Sequence, residues 1–283
     1  MTISLSAVAI EQFPDMFTNV YQAINKMLPP TIQNQRGIIG DAWHASVVGQ
    51  FTLDDRGAYQ SDIPPSDVPH NDVVGTFQNK IKNLPTDAFQ QGEVKANERQ
   101  NLAKISAYAV SRQEDQIIID QMASDGLVTK SVPDGGVNLT VDKIREAARL
   151  LDLDEVPPEN RTFIAHVNQK DSLLSQTETT SADYNTVRTL VTGQIDTFYG
   201  FKFLWFGNRQ EGGIPLAGDI RTCFAYHYDA MIASYGDIMN FSNPDIEVVW
   251  DHRSQSHLVI PKLRMGAKVV LGDGIVKVDC NEA

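Results

Sequence analysis

Six histidines, two cysteines and 36 acidic residues are the side chains from which this 283-residue chain would have to build a catalytic or metal centre. His252 and His257 lie in or beside one turn and could share an ion, the chemistry of a metal-dependent hydrolase. His227 and Asp229 fall in a stretch with helical character, where positions two apart point about 200° from each other. That geometry forbids a shared ion. The competing reading makes all six histidines solvated or capping groups. Cys223 and Cys280 lack the spacing of a metal knuckle or redox pair, and their apolar surroundings would raise a thiol pKa, the opposite of a reactive thiolate. The chain holds no G-x-S-x-G elbow, no G-x-x-x-x-G-K-[ST] loop and no H-E-x-x-H. Gly135-Gly136 and Gly212-Gly213 follow polar turns rather than joining a strand to a helix, so neither reads as a phosphate cradle. No cofactor is expected.

One charged pair stands apart. In AYAVSRQEDQIIIDQM (107–122), Leu102, Ile105, Tyr108, Ala109, Ile119 and Met122 share one stripe of a helical wheel. Arg112 falls near the middle of that stripe and Asp115 at its edge. Three apart on a helix, they would make a surface pair worth a few tenths of a kcal/mol. On an apolar face, an unpaired charge costs several kcal/mol. Arg112 is therefore expected to reach a carboxylate or backbone carbonyls on a packed neighbour, as a structural tie rather than a catalytic group.

The elements that must position this pair can be read from periodicity. Residues 1–42 look like an arm: Phe13, Met16, Val20 and Ile24 give a short amphipathic set that Pro29-Pro30 ends. The arm has too little apolar surface for its own core, so it frays or lies on a neighbour. VVGQFTL (47–53) and VVGTFQNKI (73–81) read as strands around DDRGAYQSDIPPSDVPHND, a polar connection unusually long for a compact domain. A two-stranded hairpin with such a tip is marginal alone. Residues 97–124 are a long helix. Pro133–Gly136 is a turn, and Thr140 caps an amphipathic helix over 141–151 that Pro157-Pro158 stops. RTFIAHV (161–167) is a buried strand, 171–176 a helical turn, 177–198 polar and partly helical, 200–206 a strand and 206–220 a loop. CFAYHYDAMIASYG (223–236) reads as a helix closed by Gly236. Strands follow at 246–250, 257–260, 267–271 and 275–279, the last two flanking Gly272-Asp273-Gly274, where Asp-Gly signals a hairpin. No internal repeat is visible.

Composition narrows the classes. With 42% hydrophobic and 21% charged residues the chain has an ordinary soluble make-up. No apolar run reaches the roughly 18 residues of a membrane span. MTISLSAVAIEQFPD has no basic segment before its apolar patch, so no signal peptide is read and reduced cysteines in an intracellular setting are expected. The net charge of −12 disfavours a general nucleic-acid binder or an anionic membrane surface. It does not exclude a protein that encloses DNA without gripping it, since an acidic lining would repel phosphate and leave the polymer mobile.

The order of parts resembles the major capsid protein of tailed double-stranded-DNA phages, the Hong Kong 97-type coat fold. The residues that carry the resemblance are the Ala109-x-x-Arg112-x-x-Asp115-x-x-Ile118 helix, the Arg161-Thr-Phe-Ile-Ala strand with Leu173-Leu174 after it, and Gly200-Phe201-Lys202-Phe203. Ala225-Tyr226-His227-Tyr228-Asp229-Ala230 and the ending Met265-Gly266-Ala267-Lys268-Val269 complete it. It covers roughly residues 45–283. Two features of some relatives are not seen: a long cleavable N-terminal scaffolding segment, and a lysine–asparagine cross-linking pair, although Lys80 and Lys82 lie near the projection. The resemblance implies an α+β fold of five parts. These are an N-terminal arm (1–42), an extended E-loop hairpin (43–95) lying on the next subunit, and a peripheral domain with the spine helix (96–140). An axial α/β domain (141–241) and C-terminal strands completing the peripheral domain (242–283) follow. It implies no enzyme but a coat protein, in the virion after synthesis in the host cytoplasm, that assembles with itself as pentamers and hexamers. Scaffolding, portal and cementing proteins are the further partners, with packaged double-stranded DNA bound without sequence preference and no membrane. Arg112, Asp115, Gly272, Asp273 and Gly274 are the expected structural residues. An encapsulin-like compartment shell and a tail or adaptor protein are the structural alternatives.

Overall fold

The computed structural model describes residues 19, 21–53, 55, 57, 67–87, 98–176, 197–209, 211–239 and 241–283. The expected elements over 177–196, much of the hairpin tip, and Phe13, Met16 and Val20 lie outside these residues. In chain order the elements are β1 (Gln33–Ile38), β2 (Ala42–Val48), β3 (His70–Thr76), β4 (Gln78–Ile81) and β5 (Leu84–Asp87). Then come α1 (Glu98–Ser124), β6 (Lys130–Val132), α2 (Val141–Leu153), β7 (Arg161–His166) and α3 (Val167–Leu174). The remainder is β8 (Thr197–Phe198), β9 (Phe201–Phe206), β10 (Leu216–Ala217), β11 (Ile220–His227), β12 (Met231–Gly236), β13 (Asp245–Asp251), β14 (Ser256–Val269) and β15 (Ile275–Asn281).

Among the described residues, two larger sheets and three helices share the body, with β2 and β3 as a separate two-stranded sheet. In the first sheet, β14 is the long member, antiparallel to β13, β12, β4 and β5, with β1 parallel to β12. The second runs β6-β15-β11-β7-β9-β8, with β10 on β11. Its central strand β7 is buried at every residue, because both faces are covered. Phe163 and Ala165 face the cluster formed with Ile144, Ala147 and Leu151 of α2. Ile164 faces the cluster formed with Ile117, Ile118, Ile119 and Met122 of α1 and with Met265 of the first sheet. The second sheet is thus the layer between two cores. Thr140 caps α2, its hydroxyl accepting from Lys143 N at 3.3 Å.

Among the described residues β2 and β3 pair only with each other, in register from Ala42↔Thr76 to Val48↔His70. A hairpin is expected here, but the strand read at 47–53 ends at Val48, and the one read at 73–81 is two strands, of which β4 pairs with β14 in the first sheet. Other expectations are corrected. Residues 223–236 are not a helix but β11, a short 3-10 turn at Tyr228–Ala230, and β12. Gly272–Gly274 is not a hairpin turn. It is a 3-10 turn that carries the chain from β14 in the first sheet to β15 in the second. The strands expected at 257–260 and 267–271 are one strand, β14. With β12 in the first sheet and β15 in the second, strands are exchanged across the boundary expected at 241/242. The arm's inner end is neither frayed nor laid on another copy: Leu28 and Ile32 are in the α1 core.

Candidate functional site

The middle of α1 is where arm, helix and both sheets are tied. Asp115 is completely buried, and its carboxylate accepts from Met27 N and Leu28 N, each at 3.0 Å, and from Arg209 Nη1 at 3.1 Å. Burial pushes its pKa above the ordinary carboxylate value, against the pull of those donors. Beside it, buried Glu114 meets Lys26 Nζ at 3.0 Å and accepts from the Tyr235 hydroxyl at 3.1 Å. Arg112 Nη1 donates to Gln22 Oε1 at 2.7 Å. The segment after β9 closes over the same turn: Gly212 N donates to Gln116 Oε1 at 2.5 Å. Gly212 has φ +72°, and a Cβ there would sit 2.8 Å from Arg112 O, so both conformation and space call for glycine.

Arg112 therefore does hold a packed neighbour, but through an amide, and it is half-buried rather than central to the core. The guanidinium on Asp115 belongs to Arg209, whose face also covers the Phe206 ring with 4.5 Å to its centroid. Sequence reasoning found Asp115 and missed Arg209, which lies in a stretch read only as loop. Its partner is 94 residues away, and no periodicity could join them.

A second tie closes the C-terminal end. Glu282 accepts from Arg221 Nε at 2.6 Å and Nη2 at 3.2 Å, from Gln169 at 2.7 Å and from Asn168 at 3.1 Å. Burial pushes this carboxyl up, but the donors outweigh it and hold it at about 2. Gly272, Asp273 and Gly274 form the crossing between sheets. Lys130 Nζ donates to Asp273 O at 2.7 Å. A Cβ on Gly272 would overlap Leu127 O, and one on Gly274 would lie 2.8 Å from Ala230 Cβ.

At the root of the hairpin, Trp43 packs with Ala45 and Ile232. Gly75 leaves room for the Trp43 ring, and Gly266 lets β14 approach Thr76 O. At the far end, Phe51 is 69% and Leu53 90% exposed.

The residues weighed for chemistry are placed as follows. His252 Nδ1 accepts from Trp250 Nε1 at 3.1 Å, and His257 Nε2 lies 3.2 Å from Arg99 Nη1 with its ring edge-on to Trp250. Both rings are engaged by Trp250 and Arg99. His227 Nδ1 and Asp229 Oδ2 are 3.7 Å apart, close because the segment turns instead of continuing as a helix. No group of three metal-ligating side chains converges among the described residues. Cys223 and Cys280 are free and buried on neighbouring strands. The hydrogen bond from Cys280, with burial, pushes the Cys223 thiol well up.

Internal ties that lock an arm, a spine helix and two sheets into one body, together with an apolar-ended hairpin outside it, define an interlocking structural subunit. Residues 5–282 match the family model for the phage capsid protein, and the chain belongs to that family. The fold is the Hong Kong 97-type, and several solved structures share it. The structure from Mycobacterium phage Che8 has a TM-score of 0.74 at 18% identity, covering 96% of this chain and 97% of that one. The capsid of cyanophage P-SCSP1u gives 0.78 at 10%, covering 100% and 96%. The head of Helicobacter pylori bacteriophage KHP40 gives 0.78 at 9%, covering 99% and 98%. A comparison with curated protein sequences finds no match. The protein is a structural component of the virion, a major capsid protein of an icosahedral head.

Proposed function

We propose that copies of this chain close into rings of five and six, and that these rings tile the shell. The observation that carries the reading is the hairpin end. Phe51 and Leu53 stand exposed at the end of a two-stranded ribbon whose strands, among the described residues, pair with no other strand. A ribbon of two strands is marginal in water, and its apolar end gains a partner when it lies on another copy. A contact between unlike surfaces of identical subunits generates rings when its rotation closes. In this reading β2–β3 is the E-loop. The first sheet with α1 is the peripheral part, β15 excluded, and the second sheet with α2 and α3 is the axial part.

The net charge of −12 suits enclosure of double-stranded DNA without sequence-specific grip. Synthesis in the host cytoplasm, and contacts with scaffolding, portal and cementing proteins, complete the reading. Sedimentation and negative-stain microscopy of the purified protein test it. Pentamers, hexamers or megadalton particles are expected. A protein that stays monomeric at high concentration, with and without a scaffolding partner, would overturn it.

A further inference from the structure

A groove of about 1050 Å³ opens between arm residues 19 and 21–23, α1, β4 and the segment after β9. That is the size of a small-molecule site. Its charge is the reverse of the chain's. Lys80, Lys82 and Arg112 line it, and Glu211 is the one acidic residue among the described lining, while the whole chain carries −12. Lys80 and Lys82 are exposed and pair with no carboxylate among the described residues. Arg112 meets only the amide of Gln22.

The rest of the lining is not that of a plain anion site. Ile105 of α1 and Leu263 of β14 give it an apolar wall. Tyr21 stands at the groove fully exposed, an aromatic ring that nothing in its own chain covers. Ser106 also lines the groove, is 2% exposed, and its hydroxyl has no hydrogen-bond partner. Buried polar groups are seldom left so, and this one marks a missing partner.

These features select among anions. An acidic peptide or inorganic phosphate would answer the cations and leave the ring and the apolar wall uncovered. A long-chain carboxylate would cover the wall and leave one lysine and the Ser106 hydroxyl without partners. A duplex turns its base faces inward and presents phosphate. A nucleotide with an unpaired base offers everything the groove lacks: phosphate for the lysines, a flat face for Tyr21 and the wall, and polar ring-edge atoms for a hydroxyl. Basic grooves with an aromatic platform hold single strands in this way, with little sequence preference. The cation excess is confined to one groove, so the chain as a whole still lacks the basic face of a general nucleic-acid binder.

We propose that this groove binds a nucleoside phosphate, with the base against Tyr21 and the Ile105–Leu263 wall and the phosphate on Lys80 and Lys82. The unit arrives as a free nucleotide or within an unpaired stretch of a DNA strand, and the recognition chemistry is the same. The site is formed inside one copy and does not depend on ring closure.

Fluorescence anisotropy tests it, with labelled oligothymidylate and the purified full-length protein in its unassembled form. Oligothymidylate should bind, and Lys80→Gln/Lys82→Gln should weaken binding at least tenfold. The slope of log affinity against log salt should flatten by about 1.4, two phosphates at ~0.7 each. Tyr21→Ala should weaken binding at least fivefold through lost stacking. All three side chains are exposed, so melting temperatures should stay at the wild-type value. Ser106→Ala should weaken binding at least twofold without lowering the melting temperature.

Thymidine monophosphate, added as a competitor, separates the two sources. Displacement at concentrations similar to the oligomer's supports the site and assigns the free nucleotide; displacement needing far more monomer supports it and assigns the strand. No binding of either probe, or equal binding of a duplex of the same length, would overturn the proposal. So would equal displacement by polyglutamate or a long-chain fatty acid, or unchanged binding in Tyr21→Ala or Ser106→Ala.

Discussion

Asp115 and Glu282 are two carboxylates that each hold an arginine, yet their surroundings push them in opposite directions. Asp115 has three close donors, two of them backbone amides fixed by the arm, and sits where no water reaches it. Burial wins there, and the carboxyl is raised. Glu282 keeps 13% of its side chain exposed and is served by two nitrogens of Arg221 and two amides. Donors win there, and the carboxyl falls to about 2. The difference shows that an ion pair at the centre of a fold locates segments at an energetic cost, whereas one at its rim adds stability. The central pair decides where the arm lies; the rim pair holds the last strand closed.

The largest effect expected from this contrast is at the centre. Arg209→Ala removes the only described cation on Asp115, and breaking a buried pair from one side costs about 3 kcal/mol. Urea denaturation should show the midpoint fall with the slope unchanged. A change under about 1 kcal/mol would mean that the two arm amides suffice to hold the charge.

Glu282→Gln comes next, at about 2 kcal/mol near neutral pH, since it leaves Arg221 without its counter-charge. The sign follows from the depressed carboxyl. Its contribution is complete above the ordinary value of 4.5 and is lost as pH falls from there towards about 2. The gap between wild type and Glu282→Gln should therefore narrow between pH 5 and about pH 2.5. Asp115 works the other way, because its raised carboxyl favours the folded state below 3.8 and disfavours it as pH rises through the folded value. An unchanging gap would show that the Glu282 network acts through packing rather than charge.

The same contrast explains what the sequence revealed. α1, α2, β7 and the presence of a hairpin were legible because their signals are local: a cap, a period, a polar connection between apolar runs. The hairpin's strand bounds were not, since β2 ends at Val48 and β4 leaves for the first sheet. The segment 223–236 was misread because β11 and β12 are almost wholly buried. Strands covered on both faces lose their two-residue alternation and mimic a buried helix. β14 looked like two strands because Pro261 interrupts it. β4 pairs with 262–265 and β5 with 256–259, so the missing N–H of Pro261 falls at the break between them, where proline is tolerated. The Asp-Gly signal at 273–274 marks a real turn, but a local signal does not say which sheet receives the next strand. Leu28 and Ile32 were hidden behind Pro29-Pro30, read as an end when the chain only changes direction there.

Arg112 gives the smallest and sharpest test, because the helical wheel and the structure disagree about it. On the wheel it lies in the apolar stripe, and truncation should then strand a partner at a cost of a couple of kcal/mol. In the structure it is half-buried and bonded to the amide of Gln22, while Asp115 is held by Arg209. A neutral acceptor that can turn to water loses little. Arg112→Ala is therefore expected to cost under about 1 kcal/mol in urea denaturation. A double-mutant cycle with Arg209→Ala should show additivity within about 0.5 kcal/mol. A loss above 2 kcal/mol, or strong coupling, would return Arg112 to the buried charge centre and place two arginines on the arm's anchor instead of one.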